Sequence, residues 1–135
     1  MAYEKRGSYN DRRRAKQLLL FDGLEYSGNA TPMDLDGFIE WHDKKRILLE
    51  VKTKGVKVLW GERMALERMV NDFGKAGKDS IAVIADHTVF DKTEDVLVAD
   101  CIVREFYSSR EHVWRPPKTM MTVRSLIDSF LFNCA

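Results

Sequence analysis

The sequence predicts an α/β domain with a central mixed sheet flanked by helices. Three observations predict it. "SIAVIAD" (80–86) is a short continuous apolar run, as a strand buried on both faces requires. In "GERMALERMVNDFGKAG" (61–77), Leu66, Met69, Val70 and Phe73 recur at i, i+3, i+4 and i+7, one stripe of a helix. Strand-like and helical patterns then follow one another along the chain in an order that suits a sheet covered by helices. The 135 residues are 44% hydrophobic, enough to build one core, so a single domain over 1–135 is expected.

The elements follow in order. Ser8 and Asp11 have the spacing of a helix start, and Ala15, Leu18, Leu19 and Leu20 give a stripe that Gly23 can end. This predicts a first helix over 9–22. "MDLDGFIEW" (33–41) reads as a strand, "HDKK" (42–45) as a turn and 46–53 as the second strand of a hairpin. The segment 56–60 continues the sheet or leads into the helix that Gly74 and Gly77 close. The buried strand at 80–86 comes next. A polar loop follows, then strands over 96–107 and 112–115 joined by Ser108–Glu111. After Pro116 and Pro117, Val123, Leu126, Ile127 and Phe130 mark a closing helix.

Charge is balanced overall, with a formal net of +1, but it is not evenly spread. Residues 1–16 and 44–57 are basic, and 86–100 are acidic. Such a chain can offer one face to a polyanion while staying near neutral. Arg12, Arg13, Lys16, Lys54 and Lys57 suit phosphate contacts, which position a nucleic acid without reading its sequence. The basic helix face fits plain solvation equally. Cys101 and Cys134 form no C-x-x-C pair, which argues against a zinc site of that type and for reduced thiols in a cytoplasmic protein. No run approaches the length of a membrane span, and the charged start lacks the apolar core of a signal peptide.

The chemistry concentrates in "ILLEVKTKG" (47–55). Side chains alternate along a strand, so Ile47, Leu49 and Val51 face one way and Leu48, Glu50 and Lys52 the other. Asp34 and Asp36 share a face of the preceding strand for the same reason. Whether Asp36 joins Glu50 depends on the hairpin loop. A two-residue loop at 43–44 sets Asp36 opposite Val51, out of phase. A three-residue loop at 42–44 sets it opposite Glu50, and one at 43–45 opposite Lys52. A bulge at Gly37 is another way to restore the phase. With the phases matched, Asp36 and Glu50 can bind Mg²⁺ or Mn²⁺, with the backbone carbonyl of Val51 adding an oxygen and Asp34 standing as an alternative ligand. Lys52 would stabilise developing negative charge, or orient and deprotonate the attacking water. Glu-x-Lys taken alone also fits an ordinary polar strand face.

"TPMDLDGFIEWHDKKRILLEVKTKG" resembles the signature of the PD-(D/E)XK nuclease superfamily, an acid on one hairpin strand and (Asp/Glu)-x-Lys on the next. Asp36 matches the first acid, and Glu50 with Lys52 the pair. The helix and strand over 61–87 are also similar to those of small phage and prophage proteins. The resemblance implies a restriction-endonuclease-like αβββαβ core, followed here by a C-terminal hairpin and helix. It implies Mg²⁺-dependent cleavage of DNA, endonucleolytic or exonucleolytic, in phage or bacterial DNA metabolism. It implies a homodimer that spans two strands through 96–135. A further acid on the first helix would come from Asp11, Asp22 or Glu25. The competing expectation is an inactive module of the same fold that binds nucleic acid or inhibits a protein. His42, His87 and His112 read as ordinary surface or strand-end residues. Trp41, Trp60 and Trp114 read as packing residues before base-stacking ones.

Overall fold

A computed structural model describes residues 18–28 and 30–133. The chain divides into two units, residues 1–33 and 34–135. In the first, Asp22–Gly23 form a turn closed by Leu24 N–H donating to the Phe21 carbonyl (3.0 Å), and Tyr26 bridges Ala30. The helix expected over 9–22 is not borne out at residues 18–22, which carry no helix, and its remainder lies outside the described residues. Leu18, Leu19 and Leu20 are exposed, so their stripe has no packing to sustain a helix.

The second unit is built on a five-stranded mixed sheet with two helices, in the spatial order β1-β2-β3-β4-β5. The strands are β1 (Gly37–Trp41), β2 (Lys45–Thr53), β3 (Asp79–His87), β4 (Ile102–Ser108) and β5 (Trp114–Arg115). The helices are α1 (Trp60–Lys75) and α2 (Val123–Phe132). Only β2 and β3 are parallel, and α1 is the crossover between them.

The hairpin loop is the three-residue one. Trp41 pairs with Lys45, leaving His42, Asp43 and Lys44 in the turn, and Lys44 N–H donates to the Trp41 carbonyl (2.9 Å). His42 and Asp43 both take positive φ (50° and 58°), a conformation that both residue types tolerate better than most. The pairing runs without a bulge to Gly37 opposite Leu49. A Cβ at Gly37 would sit 3.0 Å from Leu49 Cδ1, so a larger residue there would make the Leu49 side chain shift. β1 is shorter than the strand expected over 33–41. The Val51 N–H that a longer β1 would engage is taken by the Asp36 side chain instead (2.7 Å).

The alternation of β2 sorts the core into two layers. Ile47, Leu49, Ile81, Val83, Ala85 and Val103 pack with Val123 and Leu126 of α2. Thr122 caps that helix, its hydroxyl accepting from Ser125 N–H (3.1 Å). On the other face, Leu48, Ala82 and Ile84 are buried together with Leu66 and Val70 of α1. Ser80 Oγ donates to the Val70 carbonyl (2.9 Å) and Tyr107 Oη to Asn71 Oδ1 (2.9 Å), fixing α1 across β3 and β4. Lys78 N–H donates to the Phe73 carbonyl (2.9 Å) as the chain leaves α1. The strand expected over 96–107 is also shorter. Val98–Asp100 form a single 3₁₀ turn, because β3 ends at His87 and offers no partner further out. Cys101 is buried and unbridged, whereas Cys134 lies outside the described residues.

Leu66 anchors α1 with no exposed surface. Leu66→Ala is expected to lower stability by about 2–5 kcal/mol, read from urea unfolding.

Candidate active site

The three-residue loop puts Gly37 opposite Leu49, where the pairing ends, and Asp36 follows in a bend just outside β1. Glu50 and Lys52 share the α1 face, and Asp36 lies close enough for its charge to act on Glu50. Asp36 sits exposed at the entrance to β1, tied by its Oδ2 to Val51 N–H. In an extended residue the N–H and C=O point to the same side, so the Val51 carbonyl faces the edge that Asp36 occupies. Glu50 is buried, with 6% of its surface exposed. Burial, then repulsion from the Asp36 charge, raises its pKa to about 7, against the pull of Lys52.

Lys52 lies between two carboxylates. Its Nζ is 3.4 Å from Glu50 Oε1 and 3.1 Å from Glu62 Oε2. Burial disfavours its charge, but the contacts with Glu62 and then Glu50 outweigh it and raise its pKa above the ordinary lysine value. Lys52 is thus a fixed cation. The ammonium is placed to stabilise negative charge that develops beside it. Glu62 was not anticipated from sequence. It lies four residues before Leu66, on the same helical stripe, so an acid on the buried face of α1 was the available signal.

Other groups complete the face. Asp86 pairs with Lys52 in the parallel register and accepts two bonds from the Arg104 guanidinium, one from Nε at 2.9 Å and a closer one from Nη2. Arg104 falls where β4 slips register against Ile84 and Ala85. Arg63 of α1 pairs with Glu105. His87 closes the end of β3: its Nδ1 accepts from Val89 N–H (3.2 Å), which leaves Nε2 to donate to Thr53 Oγ1 (3.2 Å) in the neutral ring. His42 lies exposed in the hairpin turn, and His112 contacts Asn71.

Not every expected residue converges. Asp34 is exposed and makes no hydrogen bond or ion pair among the described residues. Lys54 and Lys57 are exposed on the segment between β2 and α1. Arg12, Arg13 and Lys16 lie outside the described residues, as does Asp11, while Asp22 and Glu25 belong to the first unit. No group of three or more His, Cys, Asp or Glu side chains that could hold a metal occurs among the described residues. Nor is any described helix long and apolar enough to cross a membrane. No family model, curated protein or solved structure matches the chain.

The Glu50 shift has a sign that can be measured. In the unfolded chain its carboxyl ionises near pH 4.3, and in the fold near 7. Stability linked to it is complete below pH 4.3 and is lost as pH rises through 7. Glu50→Gln should therefore stabilise the protein at pH 8 by about 1–3 kcal/mol in EDTA, with little change at pH 4.3, in urea unfolding at the two pH values.

Proposed function

We propose that the protein is a metal-dependent deoxyribonuclease that hydrolyses DNA phosphodiester bonds in phage or bacterial DNA metabolism. One observation supports this reading: Asp36 reaches Val51 N–H (2.7 Å) and its charge acts on the buried Glu50, whose carboxylate lies 3.4 Å from the Lys52 ammonium. The run from Asp36 through β1, β2, α1 and β3 is similar to the ββαβ part of a restriction-endonuclease-like core.

Asp36, Glu50 and the Val51 carbonyl form a set of hard oxygen donors. Burial first and the Asp36 charge second raise the Glu50 pKa, and a bound cation would offset both; hard oxygen donors of this kind fit Mg²⁺ or Mn²⁺. An ion of this kind binds well through one or two carboxylates while keeping waters and taking substrate phosphate oxygens, so a third acid is not required. When bound, it would polarise a phosphate oxygen and acidify a water. Asp36 would hold its donor oxygens in place through the Val51 N–H bond. Lys52, kept protonated, would stabilise the charge that grows on the phosphate. Glu62 would hold the Lys52 ammonium in position. Lys54 and Lys57 would bear on the DNA backbone. Asp34 has no part in this arrangement.

An inactive nucleic-acid-binding or protein-inhibiting module is the second reading. It is favoured by the closed Glu50–Lys52–Glu62 chain, in which the ammonium already has two partners. Cleavage assays on linear, circular, single-stranded and branched DNA decide between them. Mg²⁺ should support cutting. Asp36→Ala, Glu50→Ala and Lys52→Ala should each reduce kcat by about 10²-fold or more. Full activity in the Glu50 and Lys52 variants, or no cleavage of any substrate by the parent protein, would overturn the nuclease reading. Glu62→Gln should lower kcat about tenfold with KM nearly unchanged, since it acts through Lys52.

A further inference from the structure

The segment between β2 and α1 exposes more apolar surface than its place beside the charged cluster explains. Thr53 to Val56 form a tight turn, with Val56 N–H donating to the Thr53 carbonyl (2.9 Å) and Gly55 at φ +89°. That reversal keeps the segment at the end of β2 that carries Lys52. Residues 54–60 contain Lys54 and Lys57, both exposed, and no acid. They end on Leu59 and Trp60, 66% and 74% exposed. Trp60 opens α1 only two residues before Glu62, the partner of Lys52.

The other tryptophans show what a structural indole does here. Trp41 packs edge-on against His42 and Phe132. Trp114 packs on Tyr107, lies under the Arg63 guanidinium and donates from Nε1 to Glu67 (2.6 Å). The Trp60 ring makes no aromatic or cation–π contact and its Nε1 no hydrogen bond among the described residues. An indole left three-quarters exposed, beside two exposed lysines and with the nearby Glu62 engaged by Lys52, suits a partner that is both anionic and flat-faced. A nucleic acid base is such a partner only when unstacked, since in a duplex its faces are already covered by its neighbours.

We propose that Trp60 is a stacking platform for an unpaired base whose backbone lies on Lys54 and Lys57, so that the candidate site takes single-stranded or frayed DNA in preference to intact duplex. The substrate assignment rests on the nuclease reading, whereas the stacking contact can be measured without any cleavage. In EDTA, a short oligothymidylate should quench tryptophan fluorescence in the parent protein. Trp60→Ala should abolish most of the quenching and weaken strand binding about tenfold or more. Trp60→Tyr should restore the binding, and affinity for a blunt duplex should not change in either variant.

Equal strand affinity in Trp60→Ala and the parent overturns the proposal. So does a parallel loss of duplex and single-strand binding, and so does loss of self-association with strand affinity intact, which would make the face a protein interface. If the protein cleaves DNA but Trp60→Ala treats single strands and duplex as the parent does, the nuclease reading stands and the stacking proposal falls. If the protein cuts nothing yet binds single strands through Trp60, the stacking contact stands and cleavage falls.

Discussion

The parity of one loop governs the candidate site. Side chains alternate with a period of two along a strand, so one residue more or fewer in the β1–β2 turn would send the chain at Asp36 to the α2 face. Three residues are held there by contacts at the far end of the hairpin. Asp43 N–H donates to Glu40 Oε1, and the Asp43 carboxylate pairs with Arg46 (3.0 Å) and Lys78 (3.1 Å). Hydrogen bonds from Lys78 and then Arg46 hold its carboxyl below the usual aspartate range. Lys78 immediately precedes β3, and Asp79 N–H donates to the Lys44 carbonyl (3.1 Å), so the turn is tied to the start of the next strand as well. The loop that sets the phase thus belongs to the same hydrogen-bonded corner that begins the parallel pair.

Given that phase, the electrostatics of the face follow from burial. Glu50 belongs to a strand whose neighbours are apolar, and it meets the charge of Asp36 from across the hairpin. An unfavourable arrangement of this kind is common where a carboxylate is kept for binding or chemistry. The Lys52 ammonium offsets part of it, and Glu62 in turn holds Lys52. Glu62 occupies the first turn of α1, where the positive end of the helix dipole favours an acid. The contact therefore suits both the helix and the lysine.

Much of this was legible in the residues. The alternation of Ile47, Leu49 and Val51 against Glu50 and Lys52 follows from strand geometry alone, and the structure keeps it. The α1 stripe and the buried 80–86 strand were equally plain. Loop length was not, because His42-Asp43-Lys44 lacks the glycine that usually marks a turn, and three pairings fitted the same apolar pattern. Strand ends were overextended where side chains replaced backbone partners, as Asp36 does for Val51. The 96–101 segment looked like strand from its valines and leucine, but β4 gains a partner only from Ile102 onward. Gly23 does take positive φ (89°), yet it serves a turn rather than a helix end. Glu62 is not legible in the same way, because an acid on the apolar stripe of a helix carries meaning only once the strand beneath it is known.

The sheet topology also gives a reason for where these groups gather. β2 and β3 are the one parallel pair, and their C-terminal ends share an edge sealed by the Thr53–His87 contact and by Lys54 N–H donating to the His87 carbonyl (2.9 Å). In open α/β sheets, ligands characteristically bind beyond the carboxyl ends of parallel strands, where connecting loops diverge and helix N-termini begin. Asp36, Glu50, Lys52, Glu62 and Asp86 come from four different segments, and all lie toward that edge. A solvated polar face would not require a buried glutamate, a lysine fixed between two acids and an arginine delivered by a register slip at the same end of the sheet. Under the proposed nuclease reading, Asp36 and Glu50 would hold a cation at this end, and the β2–α1 segment would bring the lysines and the exposed indole to an anionic strand.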